Sequence, residues 1–94
     1  PRSFLGVESQ PVDPALAEAF DLPYARGALI ASVEPGGPAA AGGLEPGDLV
    51  LSWNGRPLAA FEDFKIYVQL TSPGTRVTLR VLRNGQTVDR TVLA

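Results

Sequence analysis

The residues that usually carry catalysis are largely missing from this 94-residue sequence. It contains no histidine and no cysteine, which removes the commonest general base, the triads built on histidine, and all thiolate chemistry. Its five serines lack a nucleophile-elbow context, and its ten carboxylates are dispersed without metal-ligand spacing. Because a catalytic nucleophile needs a positioned base, we expect a non-catalytic domain with neither a metal nor a cofactor.

Length and charge narrow the class of protein further. Ninety-four residues suffice for one small domain, and 45% are of hydrophobic type. The net charge is −2, with lysines and arginines scattered, which gives no electrostatic case for binding nucleic acid or an anionic membrane surface. No apolar run approaches 18 residues, so we expect no membrane insertion. We interpret residues 1–94 as a single domain cut from a larger protein.

The elements that must position any binding site follow from periodicity and turn residues. Residues 4–9 partly alternate and include Gly6, which predicts a strand with a close backbone approach. Asp13 and Pro14 predict the start of a helix that ends near Phe20. The other predicted elements are strands at 27–33, 49–53, 76–83 and 86–93 and helices at 38–41 and 61–70. This order predicts a mainly β fold with helices (α+β), namely a small, partly open barrel or sandwich of five or six strands.

A run of small and turn-forming residues carries the first family resemblance. The segment from Pro35 to Gly55, PGGPAAAGGLEPGDLVLSWNG, resembles the signature of PDZ domains over about twenty residues at matching spacings. Its proline and alanines suit a short helix lying close to a sheet. Asp48 can accept backbone hydrogen bonds and fix the entry into the next strand.

A second resemblance lies at the start of the chain. Phe4-Leu5-Gly6-Val7 resembles the carboxylate-binding loop of PDZ domains in the form typical of HtrA-type proteins. This loop opens the chain and a predicted hairpin closes it, which is the circularly permuted topology of bacterial PDZ domains. The helix after the first strand is similar to one in the first PDZ domain of Do/DegP-like proteases. The sequence is therefore identified as a PDZ domain of the HtrA/Do (DegP-like) serine protease family.

The resemblance implies a binding mode in which an extended peptide, usually a free C-terminus, adds as a strand beside the first strand. The backbone N–H groups of Leu5, Gly6 and Val7 would form a nest for the ligand carboxylate. Val7, Glu8 and Ser9 would pair with the ligand strand.

The opposite wall of the groove would be the helix at 61–70. Phe61, Lys65 and Val68 would face the ligand at i, i+4 and i+7. Val68, with Phe4 or Leu5, would line a pocket for a mid-sized apolar last residue, and Lys65 would favour an acidic or polar ligand side chain. The expected peptide-binding residues are thus Phe4, Leu5, Gly6, Val7, Glu8, Ser9, Phe61, Lys65 and Val68.

The implied role is capture of C-termini or extended unfolded segments, which would recruit substrate to, or allosterically activate, an attached trypsin-like serine protease. The implied partners are such peptides, the protease domain and a further PDZ domain of the parent chain. The implied compartment is the periplasm, with any membrane tether outside this segment.

Several alternatives stay open at the level of sequence. The domain could be an assembly module whose groove is filled by a neighbouring domain, or it could belong to a tail-specific or membrane-embedded metalloprotease. Gly6 is also compatible with a bulge in an ordinary edge strand. Phe61 and Val68 are compatible with the core, and Lys65 with a solvated surface.

Overall fold

A computed structural model describes residues 5–23 and 25–93. Its strands form one antiparallel six-stranded sheet, which confirms the predicted fold class. Along the chain the elements are β1 (Val7–Pro11), α1 (Pro14–Ala19), β2 (Ala28–Val33), α2 (Pro38–Ala41), β3 (Leu49–Trp53), β4 (Arg56–Pro57), α3 (Phe61–Leu70), β5 (Arg76–Arg83) and β6 (Gln86–Leu93). The sheet order is β1-β2-β3-β5-β6, with β4 paired to β3. The sheet is therefore open, with β1 and β6 at its two ends.

The main core lies between one face of the sheet and α3. β5 alternates as predicted, with Val77, Leu79 and Val81 fully buried and the residues between them exposed. From α3, Phe64 packs edge-on against Trp53 at 5.9 Å between ring centroids. Tyr67 stacks on the same indole, also at 5.9 Å. Such aromatic pairs contribute about 0.5–1.5 kcal/mol beyond the area they bury, so they fix α3 on the sheet.

A second, smaller apolar cluster joins α1 to β3 and its neighbours. Val12, Ala17 and Leu49 are buried there, with half-buried leucines from β2 and β5 around them. The helix begins as predicted, because the Asp13 carboxylate accepts a hydrogen bond from the Leu16 N–H at 2.8 Å and Pro14 occupies its first turn. No helix within residues 5–23 and 25–93 is both long and apolar enough to cross a bilayer.

A buried ion pair ties the turn before β3 to the end of β5. Asp48 is 1% exposed and accepts hydrogen bonds from two nitrogens of Arg83, at 2.7 and 2.6 Å. It also accepts one from the Glu45 N–H at 2.9 Å, which confirms that Asp48 fixes the entry into β3. The hydrogen bond to Asp48 raises the pKa of the Arg83 guanidinium. The same guanidinium donates to the Gly43 carbonyl at 2.8 Å.

The first strand differs slightly from its prediction. The sequence suggested residues 4–9 with Gly6 inside, whereas β1 runs from Val7 to Pro11. Gly6 has φ +74°, a left-handed conformation that ends strand geometry before Val7. Pro11 is accommodated because β1 is an edge strand, where a missing N–H breaks no internal ladder. The bend at Gly6 turns the preceding residue out of the sheet and forms a distinct loop.

Candidate functional site

The exposed edge of β1 is the first component of the candidate site. β1 pairs with β2 on one side and has no strand on the other within the described chain. The Glu34 N–H donates to the Gly6 carbonyl at 2.8 Å, and Val7 lies opposite Val33. This pattern makes Val7 and Val33 a non-hydrogen-bonded pair, in which the N–H and C=O of Val7 point away from β2. Val7 therefore presents one donor and one acceptor to the exposed edge.

The loop before β1 is the second component. Its carbonyls are both occupied: Leu5 accepts from the Ala39 N–H at 2.9 Å, and Gly6 accepts from Glu34. Leu5 is 3% exposed and Gly6 is buried. Their N–H groups donate to no acceptor in residues 5–23 and 25–93. Because a buried N–H without a partner costs about 1–3 kcal/mol, these donors form a site that an incoming acceptor would stabilise.

Three consecutive N–H donors, on Leu5, Gly6 and Val7, therefore lie at the start of β1. Successive N–H groups around a left-handed residue form a concave nest that binds anions without a charged side chain. The loop geometry favours glycine, since Gly6 adopts φ +74°. A β-carbon there would meet Glu34 and Gly37 at ordinary contact distances of 3.5–3.6 Å. Adjacent donors of this kind suit an anionic acceptor, such as a carboxylate, beside a strand edge.

The helix α3 is the third component. Phe61 and Val68 are half-buried and pack against the main core cluster, which contains Leu5 and against which Val7 also packs. Lys65 is exposed, and its ammonium lies 5.7 Å from the centroid of the Phe61 ring, a cation–π contact. The backbones of β1 and α3 are not close neighbours in the fold. The two elements thus pack against the same apolar core while their backbones stay apart.

The structure places most of the predicted site residues on two elements that pack against the same core. Leu5, Gly6, Val7, Glu8 and Ser9 form the loop and the first half of β1, while Phe61, Lys65 and Val68 lie on α3. Phe4 lies outside the described residues. Sequence reasoning missed Glu34 and Ala39, whose N–H groups hold the loop carbonyls. Residues 35–38, which link Glu34 to Ala39, form a turn-like sequence. That sequence could have indicated that these two N–H groups face the loop.

The outer side of α3 is also partly apolar. Ile66 is 48% exposed and Leu70 is 78% exposed. Neither side chain belongs to the clusters that pack on the sheet. This side of α3 is therefore separate from the side that carries Phe61, Phe64 and Val68.

Comparisons with known proteins agree with this geometry. The family model for the PDZ domain matches residues 3–93. A probable periplasmic serine endoprotease, DegP-like, from Hahella chejuensis is 42% identical over 88 residues, or 94% of this chain and 19% of the relative. The periplasmic pH-dependent serine endoprotease DegQ of Escherichia coli is 38% identical over the same share of this chain. The chain thus spans about a fifth of the length of the curated relatives it matches.

Solved structures give the same result. The HtrA-type protease AlgW with decapeptide superposes with a TM-score of 0.83 at 39% identity, covering 98% of this chain and 28% of that one. The HtrA3 PDZ domain bound to a phage-derived ligand, FGRWV, gives a TM-score of 0.79 at 26% identity, covering 99% of this chain and 84% of that one.

The class of protein follows from three findings. The sheet is antiparallel and open, a loop with free N–H donors precedes its edge strand in the described chain, and the family model matches almost all residues. The chain belongs to the PDZ domain family. Within that family it is of the type carried by HtrA and DegP-like serine proteases, as the sequence resemblance predicted.

Proposed function

We propose that this domain binds the free C-terminus of an extended peptide, which adds as a strand between β1 and α3. The observation that carries the proposal is that the N–H groups of two buried residues, Leu5 and Gly6, donate to no acceptor in the described part of the chain. Together with the outward N–H of Val7, they suit a terminal carboxylate. Hydrogen bonds to a charged acceptor stabilise by about 1.5–3 kcal/mol each, so the carboxylate contributes much of the affinity.

The ligand direction follows from the position of the donors. They lie at the N-terminal end of β1, so a carboxylate bound there requires the peptide to run antiparallel to β1. Its last residue would then exchange two hydrogen bonds with Val7, one from the Val7 N–H and one to the Val7 carbonyl. The side chain of its last residue would pack against the apolar side chains of Leu5 and Val68. The side chain two residues earlier would approach Lys65.

The wider role that we propose is service to an attached serine protease. Relatives that contain such a domain are named as periplasmic serine endoproteases, and structural neighbours contain peptides. We propose that this domain does no chemistry itself and that peptide capture recruits substrate to, or activates, a protease domain of the parent chain in the periplasm.

A second candidate role is assembly with a neighbouring domain or subunit. The exposed side chains of Ile66 and Leu70 on the outer side of α3 favour it. Replacing both with glutamine would weaken an assembly contact in the parent protein. The same change would leave peptide affinity of the isolated domain intact, because these side chains lie away from the groove.

A peptide titration followed by backbone amide NMR tests the primary proposal. We expect peptides that end in Val or Leu with a free carboxylate to shift residues 5–9 and 61–68. Amidating the peptide C-terminus should weaken binding at least about tenfold, since the loss of one charge-assisted bond exceeds 1.4 kcal/mol. Equal affinity for the free and amidated forms would refute the carboxylate nest.

A matched pair of glycine variants tests the loop itself. Gly6→Ala forces an unfavourable left-handed alanine or a rearranged loop, and it should reduce peptide affinity strongly. Gly85→Ala carries the same backbone strain, with φ +77° and open space around a β-carbon, but lies in the β5–β6 turn. It should lower stability comparably and leave affinity unchanged. A similar loss of affinity in both variants would mean that the loop geometry plays no specific part.

A further inference from the structure

The side chain of Glu8 lies on the exposed side of β1 without an ionic partner. Glu8 pairs with Ser32 of β2 and is exposed. In the described part of the chain its carboxylate takes part in no ion pair or hydrogen bond. The strand irregularity next to it places the extra residue, Ala31, on β2. β1 therefore keeps its alternation, with Val7 on the core side and Glu8 on the opposite face.

Sheet geometry determines which ligand residue would meet Glu8. In an antiparallel ladder, hydrogen-bonded and non-hydrogen-bonded pairs alternate. If the last ligand residue forms the hydrogen-bonded pair with Val7, the next-to-last residue forms the non-hydrogen-bonded pair with Glu8. Side chains in such pairs lie on the same face, with Cβ atoms about 4.5–5.5 Å apart. The next-to-last side chain therefore lies directly beside the Glu8 carboxylate.

We propose that Glu8 is a specificity-determining residue that selects a lysine or arginine at the next-to-last position of the bound C-terminus. This inference rests on the proposed function above and adds a sequence preference to it. It depends on the register of Glu8 against the added strand, and not on the number of carboxylates nearby.

The surroundings of Glu8 strengthen the preference for a cation. A surface depression of about 440 Å³ is lined by residues of the loop, β1 and the end of β2, and Glu8 and Glu34 both border it. Glu34 also has no ionic partner among the described residues. Lys65, whose ammonium lies over the Phe61 ring, forms no ion pair with Glu8. The charged side chains that line this depression in the described part of the chain are both carboxylates.

The expected effect is modest and measurable. An opposite-charge cross-strand pair is stabilising, and a like-charge pair is destabilising. The affinity difference between a lysine and a glutamate at this position should therefore be roughly two- to tenfold. Because the pair is solvated, raising the salt concentration to about 1 M, where the screening length is about 3 Å, should remove most of it.

The test uses acetylated pentapeptides Ser-Gly-Thr-X-Val with a free C-terminus, in which X is Lys, Gln or Glu. Binding to the 94-residue domain is measured by calorimetry or NMR titration. We expect affinity to fall in the order Lys, Gln, Glu. The order should flatten in Glu8→Gln and invert in Glu8→Lys. The control variant Glu18→Gln, an exposed carboxylate on α1 with the same charge change, should retain the original order.

A second peptide series separates register from overall charge. In Ser-Gly-X-Thr-Val the variable residue lies opposite Ser9 and faces α3, so Glu8→Gln should leave its Lys-to-Glu affinity ratio unchanged. If all peptides bind and X has no effect in the first series, the role of Glu8 is wrong while the proposed function stands. If Glu8→Gln alters both series equally, the effect is long-range charge and the assigned register is wrong. If no peptide binds, both proposals fail.

Discussion

Replacing Asp48 with asparagine should destabilise the domain by about 3 kcal/mol, because it leaves the Arg83 guanidinium with only the exposed Glu45 carboxylate, 3.6 Å away, as an ionic partner. Asp48 is 1% exposed, and it accepts two charge-assisted hydrogen bonds from Arg83 at 2.6 and 2.7 Å. Removing one partner of such a pair typically costs about 3–5 kcal/mol. We take the lower end because the Arg83 side chain retains 18% exposure and its bond to Gly43.

That loss is a large part of the total, since a domain of this size has a free energy of unfolding of roughly 5–14 kcal/mol. The midpoint of thermal unfolding should fall by roughly 12–24 °C. Urea unfolding followed by fluorescence is a convenient assay, because Trp53 is the sole tryptophan and is 5% exposed. The m-value should stay constant, so that the shift in midpoint reports stability alone.

The matched control is Asp89→Asn. Asp89 also pairs with an arginine, Arg80, at 3.0 Å, but the two side chains are 54% and 58% exposed. Solvent-exposed pairs contribute little, so this variant should unfold close to the wild type. A loss below about 1 kcal/mol in Asp48→Asn, or equal losses in the two variants, would refute the reasoning from burial.

Two further predictions concern a close packing contact and an exposed ion pair. Gly42→Ala should lower the free energy of unfolding more than Gly85→Ala does, although Gly42 has an ordinary negative φ. The added β-carbon would collide with Val92 and come 2.7 Å from the Thr91 carbonyl. Overpacking of this kind costs about 1–3 kcal/mol of stability, which urea unfolding would measure. A hydrogen bond from Arg80 lowers the pKa of Asp89. A carboxyl NMR titration should detect this shift and its loss in Arg80→Gln. The stability that the pair adds should be present above about pH 4 and disappear as the pH falls through the lowered pKa; a pKa of Asp89 unchanged by Arg80→Gln would contradict that cause.

Local sequence signals predicted most of the elements. The bounds of α2, α3, β3, β5 and β6 agree with the structure, because proline, glycine and Asn-Gly turns mark their ends and alternation marks their faces. The first strand was shifted because a left-handed glycine can either bend a strand or end it. The two-residue β4 was missed because it has no periodicity of its own.

Contacts between distant segments could not be predicted in the same way. Arg83 lies 35 residues from Asp48, and nothing local indicates that it is the partner. The peptide-binding residues were predicted from the family resemblance alone. The direction of the Val7 N–H and C=O groups, in contrast, depends on one hydrogen bond between Glu34 and Gly6. The register of Glu8 follows only after that bond is known.

The anchored carbonyls of Leu5 and Gly6 have a consequence for the kinetics of binding. Ala39 and Glu34 hold the loop with its donors already presented, so a peptide would need to impose little order on the protein. Association without a conformational change has ordinary rate constants of about 10⁵–10⁷ M⁻¹s⁻¹ that vary little between related ligands. Peptides with different last and next-to-last residues would then arrive at similar rates. Their discrimination by this domain would lie in how long each one stays bound.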